Sequence, residues 1–339
     1  MRSIIAMVCA LLIACLARSS RADDTRADEH CSGPEECCPE KLVEKLDHTV
    51  TVKPGVVLLG VANVTERTGT WDADYYLYEE WPPTPGFVPR TEVVNEVERK
   101  SVAFDDTELR DGMCIRSRRI HSTLRSEFNL HVFPFDEQTL TLQLSDNEFE
   151  SNEVRYGDQP HVAGLDDAVR TMVSGWHVTG EPTYVRTKSA FKWEPGAPSY
   201  DYGTFGVTVR RHVTFHMTRY FLPLFIILIV ALSAFWIDPE DLNSQMAIGV
   251  TCLLAAIALQ FAEGGTLPEV SYLTLADRVY AVCYVGIAGA VVESVAVNAM
   301  VRKGNKERAM RIDRLCRLAF PAAILVALAA STARAFFMH

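Results

Sequence analysis

Residues 218–237 read TRYFLPLFIILIVALSAFWI, a run in which Arg219, close to the start, is the single charged side chain. An α-helix needs about 20 mainly apolar residues to cross the hydrocarbon core of a bilayer. Three further runs of this kind follow along the chain, at residues 242–262, 273–300 and 312–337. The sequence therefore predicts a transmembrane domain of four helices, a four-helix bundle, over residues 213–339.

The basic residues of this half of the chain are concentrated between the third and fourth runs. Residues 302–317 contain seven Lys and Arg side chains but only two acidic ones, Glu307 and Asp313. Short loops rich in Lys and Arg stay on the cytoplasmic side of a membrane. We therefore expect a multi-pass protein of the cell membrane (the inner membrane in a bacterium), with its N-terminal domain extracellular or periplasmic.

The first residues have the pattern of a secretory signal. Arg2 precedes an apolar core at residues 4–16, and small residues lead to Ala22, so residues 1–22 are predicted to be a cleaved signal peptide. In a second interpretation, the segment ending at Cys15 resembles a lipoprotein cleavage box, and Cys15 carries a lipid. Both interpretations move the N-terminus out of the cytoplasm.

Residues 23–48 form a charged, Cys-containing extension ahead of the main domain. The cysteines outside the signal and the membrane runs are Cys31, Cys37, Cys38 and Cys114. In an oxidising compartment these four thiols permit two disulfides, whose pairing the sequence does not determine. We expect a small disulfide-tied cap. The alternative, a metal site of His30 with neighbouring cysteines, fits no zinc-ligand spacing, so no metal is predicted.

Residues 49–212 show the pattern of many short strands. Apolar or alternating runs such as residues 56–64, 113–120 and 139–145 are separated by Gly, Pro and polar breaks at short, regular intervals. No alternation of strands with amphipathic helices occurs in this part of the sequence. The pattern favours an all-β, immunoglobulin-like sandwich ahead of the four membrane helices.

Composition and motifs exclude two broad classes. The formal net charge is −10, and no basic stripe lies outside the membrane half, so nucleic acid is not an expected partner. No phosphate-binding loop, Ser-His-Asp set or metal-ligand cluster stands in a suitable context, so the sequence predicts neither an enzyme nor a cofactor.

One loop and several companions carry a resemblance to a known family. The segment Phe133-Pro134-Phe135-Asp136 resembles the Phe-Pro-Phe-Asp loop of the pentameric ligand-gated ion channels, the Cys-loop receptor superfamily. Further motifs follow that family's order and spacing: Trp81, Phe87-Val88-Pro89 with Asn95, Arg211 before Pro223, Ser233-Ala234-Phe235-Trp236-Ile237, and Leu267-Pro268. The resemblance covers the chain from about residue 49 to its end.

Two departures from the animal members point to the bacterial branch. Ser126 and Leu140 stand where animal members have the cysteines that bracket the loop, so the Cys-loop disulfide is not expected. The segment between the third and fourth spans, residues 301–311, is also short. The resemblance therefore implies a receptor of the bacterial type, assembled as a homopentamer with four identical subunits around a central pore in the lipid bilayer.

The resemblance also implies which residues line that pore. The pore-facing positions of the second span would be Ala247, Thr251, Leu254, Ala258 and Phe261. Their spacing alternates between four and three residues, which places them on one face of a helix. Thr251 would form a ring of hydroxyls, whereas Leu254 and Phe261 would form apolar rings that stop ions by dewetting. Without the resemblance, the same stripe would indicate core packing.

Charge near the pore ends favours cations. Cation-selective members carry a Glu ring just inside the pore, where this chain has uncharged residues starting at Asn243, and the basic residue of anion-selective members is also missing. Glu240 and Asp241 on the inner side, and Glu263 on the outer side, are acidic and would attract monovalent cations. Asp241 is also suited to cap the second span. An anion-selective channel and a non-conducting receptor remain alternatives.

In the family, agonists bind in an aromatic pocket between neighbouring extracellular domains. The residues that the resemblance assigns to such a pocket, or that lie near it, are Tyr76, Tyr78, Phe149, Phe191, Trp193, Tyr200 and Tyr202. Aromatic faces can hold an ammonium group by cation–π attraction, but they can equally pack the sandwich. The sequence does not identify the agonist: an amine, a proton, a divalent ion and an acidic metabolite all stay open.

Coupling between the two domains is assigned in the same way. Asp136 and Arg211 match residues that meet at the domain boundary in the family, and Glu66, between the first two predicted strands, is a third candidate. A buried ion pair at a boundary can switch between two arrangements. Pro223 and Pro268 complete the expected coupling elements.

Overall fold

The computed structural model describes residues 37, 39, 42–167, 169, 175–190, 198–265 and 267–337. Its β domain contains eleven strands in these residues. They are β1 (Val50–Thr65), β2 (Thr70–Trp81), β3 (Thr91–Val93), β4 (Glu96–Arg110), β5 (Met113–Arg125), β6 (Glu137–Asp146), β7 (Val154–Tyr156), β8 (Ala163–Leu165), β9 (Trp176–Val178), β10 (Thr183–Ala190) and β11 (Ser199–Arg211).

The strands form two sheets that pack as a sandwich, which confirms the predicted fold class. The first sheet has the order β4-β5-β2-β1-β7, with β8 also paired to β1, and the second has the order β10-β11-β6-β3, with β9 paired to β11. Alternation along β2 shows why the sequence folds in this way. Tyr75, Leu77 and Trp81 are buried between the sheets, whereas Tyr76 and Tyr78 face outward.

Four helices follow the β domain, and each is long and apolar enough to cross a membrane. They are α1 (Thr214–Trp236), α2 (Leu242–Gly264), α3 (Leu275–Arg302) and α4 (Lys306–Phe337). The predicted spans are therefore present, although α4 begins well before residue 312. Asp241 caps α2, and a reciprocal capping box between Thr274 and Asp277 begins α3.

Two apolar cores divide the molecule. One lies between the two sheets, and the other lies inside the helical bundle, where α3 contacts each of the other three helices. Leu130 and Phe133 come from the β domain but belong to the helical core, together with Tyr220 and Leu275. The loop between β5 and β6 therefore packs into the membrane half.

A disulfide joins Cys37 to Cys114, and so ties the segment before β1 to the first residues of β5. This is one of the two bridges that the sequence permits. Cys31 and Cys38 lie outside the described residues, as do the predicted signal peptide at residues 1–22 and the alternative lipidation site at Cys15. Their predicted roles stay predictions.

Candidate functional site

The loop between β5 and β6 is attached directly to the linker between α2 and α3. The Leu130 N–H donates to the Tyr272 hydroxyl at 3.0 Å, and the Leu275 N–H donates to the His131 carbonyl at 2.9 Å. The His131 ring stacks on the Tyr272 ring with 3.7 Å between centroids. This loop therefore contacts the segment that joins α2, the helix with the predicted pore stripe, to α3.

A buried ion cluster includes Asp136, the last residue of the same loop. Arg211, the last residue of β11, donates from Nε and Nη2 to the two carboxylate oxygens of Asp136 at 2.8 and 3.0 Å. Its Nη1 also pairs with Glu66 in the turn between β1 and β2. Arg211 is 5% exposed and Asp136 0%. The structure thus brings together the three charged residues that were predicted to couple the domains.

The electrostatics of the cluster hold its charges in place. Burial acts to lower the pKa of Arg211, but the hydrogen bonds and charges of Asp136 and Glu66 outweigh it and raise that pKa. Gln138 donates to Asp136 at 2.5 Å and to the Asn129 carbonyl at 2.8 Å. The carboxylate is therefore oriented from two sides, an arrangement that favours one geometry.

Two aromatic rings enclose the Arg211 guanidinium, and sequence reasoning assigned a role to neither ring. The guanidinium carbon lies 4.1 Å from the centroid of Trp176 and 4.9 Å from that of Phe133. The register of β9 and β11 pairs Trp176 directly with Arg211. Each contact contributes a cation–π attraction in a place that water does not reach. A lone Trp in a predicted strand carries no signal for this partner.

The two proline candidates lie in different segments of the helical half. Pro223 is half-buried in α1, where it follows the π-helical turn Met217–Phe221. Pro268 is half-buried in the linker between α2 and α3, next to Leu267, which packs on the helical core. Proline suits both positions, because the backbone in these segments departs from a regular α-helix and does not need the N–H that proline lacks.

The predicted pore stripe occupies the side of α2 that does not pack against its own bundle. Leu254 is 62% exposed and Phe261 78%, and Ala247, Thr251 and Ala258 are also exposed. The residues on the opposite side of α2 are buried against the other helices: Gln245, Gly249, Cys252 and Ala256. The single chain thus leaves this stripe without a partner.

The acidic candidates at the inner end of α2 have different surroundings. Asp241 accepts hydrogen bonds from the Ser244 hydroxyl and N–H, which lower its pKa. Glu240 pairs with Lys306 at the start of α4, and Asn243 is exposed in the first turn of α2. Asp241 is therefore both a helix cap and an exposed negative charge.

The candidate at the outer end, Glu263, needs a correction. It is 3% exposed and lies beside Tyr280 of α3, on the buried side of α2. A charge enclosed by its own subunit does not face a central axis, so the structure does not place Glu263 with the exposed stripe. Its position on the helix, two residues after Phe261, accounts for the opposite orientation.

The aromatic candidates lie in two groups on different sheets. Tyr76 and Tyr78 stack at 6.0 Å on the outer face of β2, with Phe104 at 6.5 Å from Tyr76. Tyr200 and Tyr202 are half-buried on β11 of the other sheet. One subunit does not bring the two groups together. A shared pocket would need a second copy.

Phe149 is a core residue, which corrects its assignment to the pocket. It is 4% exposed and packs edge-on against Phe87 with 5.4 Å between ring centroids. Phe191 and Trp193 lie outside the described residues. Within the described ranges, no group of three or more His, Cys, Asp or Glu side chains is arranged to hold a metal ion.

Comparison with known proteins yields many relatives, although no family model matches. The chain is 26% identical over 200 residues to a "pH-sensitive chloride channel 2" of Drosophila melanogaster, covering 58% of this chain and 38% of the relative. It is 27% identical over 192 residues to a "Gamma-aminobutyric acid receptor subunit beta" of Caenorhabditis elegans, covering 56% and 33%. The chain thus spans well under half of these relatives' lengths.

A bacterial relative matches over most of both chains. The "Proton-gated ion channel" of Gloeobacter violaceus is 22% identical over 301 residues, covering 83% of this chain and 82% of the relative. The relatives are receptors and channels, not enzymes. The order of a β-sandwich followed by four apolar helices is that of the same proteins. By sequence and by architecture, this membrane protein is homologous to the pentameric ligand-gated ion channels.

Proposed function

We propose that the chain is one subunit of a homopentameric cation channel, opened by an extracellular ligand or a change of pH. The observation that carries the proposal is the exposed stripe of α2, which lies opposite the buried side of the same helix. A ring of five copies would enclose the stripe around an axis, where it would contact ions. Its mixture of hydroxyl and apolar side chains suits a pore that opens and closes.

The apolar residues of the stripe would act as the gate. Leu254 and Phe261 project far from their own bundle, and five copies of either would form a narrow apolar ring. Such a ring empties of water when it narrows, which stops ions without any physical plug. Thr251, one turn below Leu254, would offer hydroxyls to a partly dehydrated ion.

The preference for monovalent cations is supported by charge at the inner mouth. Asp241 is exposed, and an exposed aspartate is ionised at neutral pH. The chain as a whole carries a formal net charge of −10, which would raise the concentration of cations near the protein. Glu263 has no part in this proposal because it is buried.

Opening would begin at the interface between two β domains. Tyr76 and Tyr78 of one subunit and Tyr200 and Tyr202 of its neighbour supply aromatic faces that suit an ammonium group. Displacement there would reach the helices through Arg211 and the loop attached to Tyr272. The names of relatives, one a receptor for an amino acid and others sensitive to pH or protons, support either trigger.

An anion-selective channel is the second candidate. It is supported by the relative named a chloride channel and by the absence of a Glu at the uncharged positions that begin at Asn243. Both candidates predict a pore along the same stripe. They differ in the sign of the reversal potential under a salt gradient.

The test is electrophysiology of the purified full chain in planar bilayers under asymmetric KCl. Acidification of the outer side and addition of gamma-aminobutyric acid are the two probes. A reversal potential near that of K⁺ supports the proposal, and one near that of Cl⁻ selects the second candidate. Absence of current with both probes and with Leu254→Ala would overturn the channel assignment.

A matched pair of variants tests the gate. Leu254→Ala should raise the current without any probe, because a smaller side chain no longer keeps the ring dry. Leu318→Ala removes the same atoms from an exposed position on α4, outside the stripe. It should leave the resting current unchanged. Equal behaviour of the two variants would contradict the assignment of the stripe.

A further inference from the structure

The turn between α1 and α2 is connected to the start of α4 by an ion pair. The Lys306 Nζ bonds to the carboxylate of Glu240, and both side chains remain exposed to solvent. The pair joins segments that are far apart in sequence, the inner end of α2 and the first residue of α4. Because ion pairs between exposed side chains contribute little to folding stability, this pair is better explained by a role other than stabilising the fold.

The acidic turn is held in one orientation by its neighbours. The Asn298 side chain of α3, which is buried, donates to the Pro239 carbonyl at 2.8 Å. The Glu240 N–H donates to the Asp238 carboxylate at 2.9 Å, and Asp241 caps α2. With the backbone anchored on both sides, Glu240 is directed toward α4 and its charge is met by Lys306.

We propose that Lys306 is a selectivity-determining residue that compensates the Glu240 charge at the inner mouth of the pore. The inference rests on the proposed function. In the acidic turn, Lys306 bonds directly to Glu240, whereas Asp241 accepts hydrogen bonds from Ser244. The effective ring charge is then smaller than the sequence Asp238-Pro239-Glu240-Asp241 suggests. Loss of Lys306 would leave five additional carboxylates of the ring without a compensating positive charge.

The size of the effect follows from the screening of charge in salt water. A carboxylate about one Debye length (~8 Å at physiological ionic strength) from an ion changes its local concentration only slightly. Five together should raise the concentration of a monovalent cation by a factor of about five. Lys306→Gln is therefore expected to raise single-channel cation conductance about two- to fivefold and to move the reversal potential toward that of K⁺.

The experiment compares three variants of the full chain in planar bilayers at 0.1 M salt, where the Debye length is about 10 Å. Lys306→Gln should show the rise, and Lys306→Arg, which keeps the charge, should behave as the wild type. Lys303→Gln removes an exposed positive charge from the turn between α3 and α4, three residues before Lys306, without touching Glu240. It should have a clearly smaller effect. Equal shifts in the two Gln variants would overturn the proposal.

Two further arms separate an electrostatic effect from damage to the fold. At 1 M salt, where the Debye length is about 3 Å, the difference between Lys306→Gln and the wild type should vanish. In a Glu240→Gln background, Lys306→Gln should add little, because the lysine no longer has its partner. A difference that persists in either condition contradicts the proposal. A wild type selective for Cl⁻ would refute cation selectivity, yet the direction of the Lys306→Gln shift would still test Lys306.

Discussion

The buried ion cluster at the domain boundary makes a quantitative prediction for Arg211→Gln. The guanidinium has two hydrogen bonds to Asp136, an ion pair with Glu66 and two aromatic neighbours. Glutamine retains none of the charge and reaches less far. Glu66 can be rehydrated because it is partly exposed, whereas Asp136 is fully buried and, among the described residues, keeps Gln138 as its side-chain donor.

The cost follows from that burial. Removing one partner of a buried pair typically costs about 3–5 kcal/mol, because the other charge stays buried without compensation. For a domain of 150–250 residues, each kcal/mol lowers the unfolding midpoint by about 2–4 °C. Arg211→Gln should therefore lower the midpoint of the β domain by about 6–20 °C. Channel opening should be impaired while the pentamer still assembles.

The assay is thermal unfolding of the full chain in detergent, monitored by the circular-dichroism signal of β structure. Size-exclusion chromatography checks that the pentamer assembles. Arg210→Gln is the matched control. Arg210 is adjacent in β11 and pairs with Glu137, but both side chains are exposed. Its loss should cost less than about 1 kcal/mol. Equal midpoint shifts in the two variants would refute the argument from burial.

A double mutant isolates the pairwise contribution. Asp136→Asn alone should also destabilise the β domain, because the buried guanidinium then lacks its main carboxylate. Combined with Arg211→Gln, it should cost less than the sum of the single changes by about 1–3 kcal/mol. Additive costs, or normal currents from either single variant, would remove the cluster from the coupling pathway.

Three other predictions concern the β domain, and each is measured by unfolding of the purified chain. Replacing both Cys37 and Cys114 by Ser should cost on the order of 4 kcal/mol, because the bridge closes a loop with a sequence separation of 77; no loss of stability would contradict this. Burial acts to raise the pKa of Asp72, but hydrogen bonds, the largest from Lys100, lower it to about 2. Because the folded form binds the proton less tightly, the stability contributed by Asp72 is present above pH 3.8 and is lost as the pH falls toward about 2; Asp72→Asn should abolish that part of the acid sensitivity. Phe149→Ala should cost about 3–5 kcal/mol, as expected for a buried aromatic ring, and a change in agonist response without any loss of stability would restore Phe149 to the pocket.

The sequence predicted local patterns, but it did not predict contacts between segments that are distant in the chain. The strands of the sandwich follow from alternation, since Tyr75 and Leu77 point inward and their neighbours outward along β2. The capping role of Asp241 was also readable, because a cap depends only on the residues that follow it. Trp176 had no such local signal. Its partner Arg211 lies on a strand that β9 meets only after the chain folds.

The misassigned residues show the same limit. Glu263 and Phe261 are two residues apart in one apolar helix, and periodicity along the chain does not reveal which side other helices will cover. The resemblance assigned Phe149 to the agonist pocket, but Phe149 packs against Phe87 in the core of the β domain. Burial on one face depends on the packing of whole elements, which a single segment does not encode.

The sequence by itself determined the membrane half, because a helix in hydrocarbon must satisfy its own backbone and expose apolar side chains, and both requirements act within one run such as residues 218–237. It also determined the sandwich and, through the loop at Phe133, the family resemblance. The tertiary structure decided which side of α2 is free, that Glu240 is paired with Lys306, and that aromatic rings enclose Arg211. These depend on distant segments meeting in space, where burial removes water and makes each charge depend on its partner.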